Sequence, residues 1–537
     1  MKNKTDSLIK ENEEKFYRKA VLMAVIIGTF MAVLDSSIVN IAISKMMTVF
    51  GVSVDDAQWI ITSYTLAMGS VIPLTGYLSD RFGSKIMYMF ALAAFTVGSL
   101  LCGIAWSNNI MIAARIIQGI GGGMIMPVGM SILYSTFPKE ERGTALGFWG
   151  IAAMAAPAIG PTLGGYIIEY LDWRLVFTIN IPIGIIGIVF SWLLLKNTNQ
   201  KIKQPFDYIG FITAAVGLVF ILYVLGEGTV DWSKAKNVIM IVIGVFSLII
   251  FVVNELTHPF PLMDLRVFKY IPFSLSMLIS TFTTMAMYGV VFIMPLFLQN
   301  IRGYTAIETG LIMLPSAIVM GVLMPISGKL GDKFGARPLL IIGSIINAVG
   351  TYLLSRLTID TSMSMITSLL IIRAAGLGLS MMPASTEGMN SVPHHLISKA
   401  SAINSTVRQV ASSVSITLLV GVMNKYQRIS FASYSAQIDD FNTTAMSYIN
   451  TLKSTLMQTG LSESSALAGA KQVILGTISQ KAFLTGLNAT LILSALMGLI
   501  CIPIALFFKK TKSNKSDSEK TEEIESSIAE LSMEILE

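Results

Sequence analysis

The sequence predicts an all-α integral membrane protein with fourteen transmembrane helices. Only 13% of the 537 residues are charged and 53% are hydrophobic, whereas soluble domains carry roughly 25% charged residues. The mean hydropathy is +0.69. A chain with so little polar surface cannot cover its own core in water, so we expect most of its surface to face lipid.

Long apolar runs mark the individual spans. A helix that crosses a bilayer needs about 20 mainly apolar residues. Fourteen runs meet this length: 20–43, 57–78, 86–106, 109–135, 142–168, 175–195, 208–226, 237–256, 271–298, 307–328, 338–356, 364–386, 398–424 and 483–508.

The distribution of Lys and Arg predicts that both termini are cytoplasmic. On that topology the short inner loops hold about 13 basic residues and the short outer loops about 6, as the positive-inside rule requires. Residues 1–19 are then a cytoplasmic leader, 425–482 an extracellular helical hairpin and 509–537 a disordered cytoplasmic tail. We expect a multi-pass protein of a bacterial cell membrane.

A repeat divides the chain into two similar halves. Residues 76–83 and 328–335 both read Gly-x-Leu-x-Asp-basic-Phe-Gly and both follow an apolar run. Arg115 opens the fourth span, and Arg373 opens the twelfth in the same way. Duplicated halves around a central path are the layout of transporters.

The repeat sets the domain boundaries. It predicts a six-helix bundle at 20–195 and a second one at 271–508, which includes the outer hairpin. The spans within 208–256 have no counterpart in the repeat. They are therefore predicted to be two inserted helices between the bundles.

Four charged residues lie well inside predicted spans: Asp35, Arg115, Arg373 and Arg408. An ionised side chain at mid-membrane costs at least about 2.5–3.5 kcal/mol on insertion scales, so such residues face a bundle interior or a water-filled cavity. They indicate a role in proton or substrate handling. The alternative is an ion pair that only locks helices together.

Asp35 and Arg115 are predicted to lie at the same depth. Each lies about 9–12 Å from the outer end of its span, at a rise of about 1.5 Å per residue. Desolvation favours the protonated carboxyl, and a nearby guanidinium favours the ionised form. These opposing effects can make protonation depend on conformation, so we interpret the pair as the proton-coupling site.

The two repeated loops are interpreted as parts of an inner gate. Their glycines permit tight turns between antiparallel spans, and their aspartates can attract a basic residue of a neighbouring loop, such as Arg142. The alternative is a simple loop with topogenic charge. The gate candidates are Gly76, Asp80, Arg81, Gly83, Arg142, Asp332 and Lys333.

The fifth span is rich in glycine and proline, which bend helices and allow close approach of neighbours. Ordinary small-residue packing is the alternative to a specific role. The residues concerned are Pro157, Gly160, Pro161, Gly164 and Gly165.

The sequence gives no sign of a cofactor, a metal site or ATP hydrolysis. The glycine run 119–123 lacks the Lys-Ser/Thr that follows a nucleotide loop and lies within a span. The basic residues are spread over short loops, which argues against nucleic-acid binding. The expected partners are protons, a small-molecule substrate and the lipid bilayer, with the proton gradient as energy source.

Several motifs together carry a family resemblance that runs from about residue 20 to residue 508. They are residues 34–40 in the first span, 76–83 in the first repeated loop, 115–123 in the fourth span, 160–165 in the fifth, 172–182 before and within the sixth, and Asn404 with Arg408 in the thirteenth. With these motifs the sequence resembles the major facilitator superfamily, and within it the fourteen-helix drug:proton antiporters of the EmrB/QacA type.

The resemblance implies a major facilitator fold and proton-driven export by alternating access. It ties Arg115 to proton transfer and associates the fifth-span motif with export. The candidates for the substrate cavity or its charge network are Asn40, Arg373, Glu387, Asn404 and Arg408. Whether an adaptor protein is needed stays open.

The sequence departs from this branch in its acidic residues. Some cation exporters of this type carry extra carboxylates in the tenth or thirteenth span. Here the tenth span holds only Glu308, at its outer edge, and the thirteenth holds Arg408 and no acid. Three deep arginines against one aspartate favour neutral, zwitterionic or anionic amphiphiles over dications.

Two other functions fit the same sequence less well. A proton-coupled importer or symporter has the same fold, but the fifth-span motif argues against it. A membrane sensor that binds a ligand without transport is disfavoured by the repeated loops and buried charges. A membrane enzyme is the most distant possibility, because no nucleophile–base pair lies within the spans.

Overall fold

The computed structural model describes residues 2–196, 205–226, 232–436, 438 and 443–508. Within these residues every regular element is helical. The α-helices are α1 (Lys2–Phe50), α2 (Val54–Val71), α3 (Leu74–Phe82), α4 (Ser84–Gly103), α5 (Asn108–Thr136), α6 (Lys139–Tyr170), α7 (Leu175–Thr178), α8 (Asn180–Leu194), α9 (Tyr208–Gly226), α10 (Ala235–Thr257), α11 (Ile271–Leu296), α12 (Ala306–Phe334), α13 (Ala336–Leu354), α14 (Met363–Asn390), α15 (Ile397–Ser435), α16 (Thr443–Gln458) and α17 (Glu463–Leu506).

Twelve helical segments of the described chain are long and apolar enough to cross a membrane. They coincide with twelve of the fourteen predicted spans. The other two predicted spans, 57–78 and 142–168, fall in α2–α3 and in α6. The all-α membrane fold is therefore confirmed, and the count of fourteen spans, with which these helices agree, stays a prediction.

The helix α10 shows why the polar surface is so small. One of its faces carries large apolar side chains at helical spacing that are more than half exposed, among them Val242, Phe246 and Val253. The other face packs on α9, where Gly244 lies against the backbone of Gly217. An apolar face of this kind is stable against lipid and not against water.

Packing between the helices follows the repeat. In the first half α1 packs on α6 and α8, and α5 packs on α2 and α4. In the second half α14 packs on α11, α12 and α13, and α17 packs on α11, α13 and α15. The inserted helices α9 and α10 pair with each other, and α9 also contacts α2 and α15. The insert thus touches both halves.

The seam between α6 and α12 is the most extensive contact between the halves, and glycines make it possible. A Cβ on Gly147 would lie 2.3 Å from the Pro325 Cα atom. A Cβ on Gly328 would lie 2.0 Å from the Gly143 carbonyl oxygen. Small residues let helix backbones approach closely in this way in membrane proteins.

Helices continue beyond the predicted spans in the leader and in the hairpin. The predicted leader, 1–19, runs into the first span within α1. In the predicted hairpin, 425–482, α15 continues to Ser435 and α16 packs on the first turns of α17. The apolar side chains of Ile449 and Ile474 hold α16 against α17. The predicted tail, 509–537, lies outside the described residues.

The seam predicts that a single added methyl group at Gly147 destabilises the protein. The variant Gly147→Ala forces the α12 backbone at Pro325 to move, and overpacking of this kind costs about 1–3 kcal/mol. We expect a lower midpoint temperature for loss of the monodisperse peak in size-exclusion chromatography of the detergent-solubilised protein. Gly421→Ala is the matched control, because no atom lies within 4 Å of the Cβ that it adds. Equal midpoints for the two variants would contradict the role of the seam.

Candidate functional site

A buried ion pair lies at the centre of the first half. Arg115 of α5 donates from Nη1 to the Asp35 Oδ2 atom of α1 at 2.7 Å. Each residue is only 1% exposed. The structure thus brings together the two residues that the sequence placed at equal depth.

Two amide side chains complete the coordination of the Asp35 carboxylate. Gln118 Nε2 and Asn180 Nδ2 both donate to Asp35 Oδ1, each at 2.8 Å. Gln118 also donates to Ser99 Oγ at 2.8 Å and accepts from Arg115 Nη1 at 2.5 Å. The carboxylate therefore accepts three hydrogen bonds from α5 and α8, so its negative charge is well stabilised where it is buried.

The guanidinium of Arg115 has further partners in α2. Its Nε atom donates to the Ile60 carbonyl oxygen at 3.2 Å, and its Cζ atom lies 4.1 Å from the centre of the Tyr64 ring. A cation over an aromatic face in a desolvated site is stabilised by about 2 kcal/mol or more. The cation is thus held by a carboxylate, a carbonyl and a ring.

The glycine run of α5 places Arg115 among its partners. A Cβ on Gly119 would lie 2.6 Å from the Tyr64 carbonyl oxygen of α2, and one on Gly121 would lie 2.4 Å from the Phe95 backbone nitrogen of α4. A Cβ on Gly98 of α4 would in turn lie 2.5 Å from the Gln118 Cα atom. The run permits helix contact, in line with the sequence argument that it is not a nucleotide loop.

The second half lacks such an ion pair. Arg373 is 5% exposed and donates from Nη2 to the carbonyl oxygens of Ala286 and Met287, each at 3.1 Å. Within the described parts of the chain no ion pair includes Arg373 or Arg408. These two arginines therefore have no carboxylate of the described residues within ion-pair distance.

The other predicted cavity residues lie on three helices, α1, α14 and α15. Asn404 of α15 is buried and donates to the Met130 Sδ atom of α5 at 3.3 Å, so it bridges the halves. Arg408 is half-buried one turn further along α15, and Asn40 is exposed on α1. Glu387 is half-buried near the end of α14.

The two repeated loops lie at one end of the bundle, called here the motif end, which the sequence predicts to be cytoplasmic. Gly83 and Gly335 occupy equivalent positions and both have positive φ, +94° and +82°. This is a backbone conformation that favours glycine. The repeat of the sequence is thus also a repeat of backbone geometry.

In the first loop, Asp80 faces the start of α15. It lies beyond the end of the predicted second span, and its carboxylate accepts a hydrogen bond from the Ser398 hydroxyl. Burial raises the pKa of Asp80 to about 6, although the bond from Ser398 and the charges of Lys399 and His395 lower it. Gly76 permits this contact, because a Cβ there would lie 3.0 Å from the Lys399 Cα atom.

In the second loop, Asp332 faces the start of α6. Its carboxylate accepts hydrogen bonds from the backbone N–H groups of Gly143 and Thr144. The basic residues of the two loops make contacts within their own helices. Lys333 is exposed, and its Nζ atom lies 5.2 Å from the centre of the Phe334 ring. Arg81 donates to the Tyr77 hydroxyl within its own helix.

Among the described residues Arg142 forms no ion pair with Asp80 or with Asp332, the two aspartates expected to attract it. It donates from Nη1 to Asn390 Oδ1 at 2.8 Å and from Nε to the Phe137 carbonyl oxygen at 3.1 Å. Asn390 belongs to the other half, so Arg142 still joins the two halves at the motif end. A cavity of about 350 Å³ lies beside this contact, with Glu387 and Asp332 in its wall.

The fifth-span motif lies in α6 against α1 and α12. A Cβ on Gly160 would lie 2.3 Å from Ser37 Oγ, and one on Gly164 would lie 3.0 Å from Ile38 Cγ2. A Cβ on Gly165 would lie 3.3 Å from Ile307 Cγ1 of α12. The side chains of Pro157 and Pro161 lie outside the described part of the structure.

Sequence reasoning did not assign the polar residues that hold the ion pair. Gln118 follows Arg115 by three positions, so both share a helix face, and this spacing could have identified it. Asn180 belongs to the motif at 172–182, and the motif does not by itself place this side chain beside Asp35.

Comparison with known proteins agrees with the fold. The family model described as Major Facilitator Superfamily matches residues 25–416. An uncharacterized MFS-type transporter of Bacillus subtilis, YhcA, is 36% identical over 94% of this chain and 95% of its own length. The multidrug export protein EmrB of Haemophilus influenzae is 32% identical over 91% of this chain and 95% of its own length.

A solved structure supports the same assignment. The proton:xylose symporter XylE superposes with a TM-score of 0.60 at 14% identity, over 93% of this chain and 97% of that protein. At this identity the likeness shows the fold alone. The family match and the relatives show more, and on them the chain belongs to the major facilitator superfamily and is a multi-pass membrane transporter.

Proposed function

We propose that this transporter exports amphiphilic small molecules in exchange for protons, by alternating access. A relative over 91% of the chain is named a multidrug export protein. The glycines of the export-associated motif lie where α6 meets α1 and α12. The proposed direction of transport and the proposed substrate type rest on these two observations. The proposed coupling of transport to proton movement rests on the site around Asp35.

The observation that carries the coupling is that Arg115 has two alternative acceptors. Its Nη1 atom contacts both Asp35 Oδ2 and Gln118 Oε1, at 2.7 and 2.5 Å. When Asp35 takes up a proton, the guanidinium loses the anion that offsets its burial, and a buried unpaired charge costs about 3–5 kcal/mol. Protonation therefore favours a conformation in which Arg115 meets water or substrate.

The motif end is the part that has to open toward the cytoplasm. Its two halves are joined by Arg142 with Asn390 and by Asp80 with Ser398. The Tyr134 hydroxyl also donates across the halves, to the Ser385 carbonyl oxygen at 3.2 Å. These polar contacts can exchange for water, whereas the glycine seam of α6 and α12 keeps the halves together during the movement.

The charges of the second half favour a neutral, zwitterionic or anionic substrate. Asp35 is already paired with Arg115, so its carboxylate is not free to hold a dication. Arg408 is half-buried and takes part in no ion pair among the described residues. A guanidinium in such a position can bind the acidic group of an amphiphile.

A proton-coupled importer on the same fold is the second candidate function. It is retained because a proton:xylose symporter has a similar fold. Inside-out vesicles with an imposed pH gradient distinguish the two directions. Substrate accumulation driven by proton efflux from the vesicles supports export from the cell, and substrate loss supports import.

The coupling scheme predicts that Asp35→Asn abolishes proton-driven transport. Asparagine keeps the size and one acceptor oxygen but cannot exchange a proton at neutral pH. We expect efflux from energised cells to fall to the level of protonophore-treated cells, with membrane expression preserved. The exposed Asp360→Asn change is the control. Coupled efflux by Asp35→Asn at the unmodified rate would refute the assignment.

The amide contacts predict that Gln118→Ala slows turnover. The change removes a donor to Asp35 and the second acceptor of Arg115, and hydrogen bonds to charged groups contribute about 1.5–3 kcal/mol. We expect the maximal efflux rate to fall about tenfold with little change in the KM for substrate. Thr96→Ala is the control, since the buried Thr96 hydroxyl donates only to a carbonyl of its own helix. A change confined to KM would argue against a role in coupling.

The substrate class predicts a charge-selective effect of Arg408→Gln. Loss of the guanidinium removes a charge-assisted hydrogen bond of about 1.5–3 kcal/mol, so the KM for an anionic amphiphile should rise about tenfold. The KM for an uncharged amphiphile should stay nearly the same. Arg356→Gln, at an exposed arginine, is the control. Clear preference of the unmodified protein for a dicationic dye would refute the proposed class.

A further inference from the structure

The inserted helix α9 runs from the motif end toward the opposite end of the bundle, called here the outer end. Phe206, just before α9, packs on Tyr77 of the first repeated motif, with ring centres 5.3 Å apart. The helix then continues for 19 residues, a rise of about 28 Å at 1.5 Å per residue. Its last turn, with Tyr223 and Leu225, therefore lies toward the outer end. The transport scheme above assigns no role to this part of the insert.

The last turns of α9 are attached to the first half by contacts with α2. The rings of Tyr223 and Trp59 lie with their centres 5.6 Å apart. A Cβ on Gly69 of α2 would lie 2.5 Å from the Leu222 Cδ1 atom, so this leucine side chain packs against a glycine. From α10, Lys236 Nζ donates to the Tyr223 hydroxyl at 2.9 Å. Both inserted helices are thus held on the first half.

A hydrogen bond attaches the same part of α9 to the second half. Thr417 of α15 donates from Oγ1 to the Leu225 carbonyl oxygen at 2.6 Å. The helix α9 ends at Gly226, so this carbonyl belongs to the last turn, where carbonyl oxygens have no partner within the helix. The Thr417 hydroxyl also lies 3.1 Å from the Ser413 carbonyl oxygen of its own helix. The shorter of its two contacts is the one to the insert.

The second half meets the first half differently at the two ends of α15. At the motif end the contact is direct, since a Cβ on Gly76 would lie 3.0 Å from the Lys399 Cα atom. Thr417 follows Lys399 by 18 residues, which is about 27 Å along the helix. There α9 lies between the halves, with Trp59 of α2 on one side and Thr417 on the other.

We propose that Thr417 and the last turn of α9 form a latch between the second half and the insert, which is made while the motif end is closed. Opening of the motif end moves α15 away from α3, so the outer part of α15 also moves relative to the first half. The insert stays with the first half because it packs on α2, and the bond from Thr417 to Leu225 therefore breaks in this step. The latch stabilises the closed motif end, and Thr417 is a positioning residue of the transport cycle.

The inference rests on the alternating access of the proposed function, and its test needs neither substrate nor a proton gradient. Met130→Cys is the reporter, because Met130 is 2% exposed and contacts Asn404 across the halves. Cys102 and Cys501 are buried, at 0% and 1% exposure. The rate at which a polar maleimide labels the reporter in nanodiscs measures how often the motif end opens.

Removal of the Thr417 hydroxyl should make this opening more frequent. We expect Thr417→Val on the reporter chain to raise the labelling rate about fivefold, the effect of losing one neutral hydrogen bond. Thr417→Ser keeps a hydroxyl and should label at the rate of the reporter chain. Thr281→Val is the matched control and should leave the rate unchanged. Thr281 is a half-buried threonine of the same half, and its hydroxyl donates to the Met277 carbonyl oxygen of its own helix.

A second variant tests the attachment on the other side of α9. Trp59→Leu removes the ring contact with Tyr223 and loosens the insert from the first half, so it should also raise the labelling rate. Trp106→Leu is its control, because Trp106 is a tryptophan of the same half that is 73% exposed. Both attachments act through α9. The double variant of Trp59→Leu with Thr417→Val should therefore raise the rate by less than the product of the single effects.

Two results would overturn the inference. One is a Thr417→Val rate equal to that of the reporter chain, and the other is full multiplication of the two effects in the double variant. If Thr417→Val does not reach the membrane, Trp59→Leu decides, and an unchanged rate there overturns the proposal as well. Import in place of export, or loss of proton coupling at Asp35, would not alter these expectations, because the motif end still opens. Absence of labelling in every chain would contradict alternating access itself, and the latch with it.

Discussion

The buried pair of Asp35 and Arg115 is the constraint on which the first half of this transporter depends. Two charges far from water are stable only when every remaining hydrogen-bonding group near them is satisfied. The partners come from five helices: α1 and α5 provide the charges, α2 a carbonyl and a ring, α4 a hydroxyl and α8 an amide. Helices can converge on one point only if their backbones approach closely. The glycines of α4 and α5 permit this approach, and the buried ion pair therefore depends on them.

The two halves keep the same scaffold and differ in this chemistry. Gly83 and Gly335 share an unusual backbone conformation, and Asp80 and Asp332 each bind the start of a helix in the opposite half. Arg373, by contrast, occupies the position that repeats Arg115 and has carbonyl oxygens in place of a carboxylate. The duplication thus retains the contacts of the two loops across the halves, whereas the buried ion pair found among the described residues lies in the first half.

The sequence was sufficient for features that depend on periodicity and burial cost. The lengths of the apolar runs located the spans. The free-energy cost of a charged side chain in a membrane identified Asp35 and Arg115, and it implied that the two residues meet. It was insufficient where a contact depends on which helix ends come together. Arg142 bonds Asn390 and forms no ion pair with Asp80 or Asp332 among the described residues, and Asn404 donates to Met130 of the other half. Such pairs follow from tertiary packing, because each residue alone looks like an ordinary loop or helix-end charge.

The seam of α6 and α12 and the motif end have complementary physical roles. The seam is built largely of glycine against backbone, so its stability depends on close packing of the two helices. The motif end is built of hydrogen bonds and charges that are either made or broken. Polar contacts that are either made or broken can define two states, and in the proposed coupling protonation of Asp35 shifts the balance between states that differ by only a few kcal/mol.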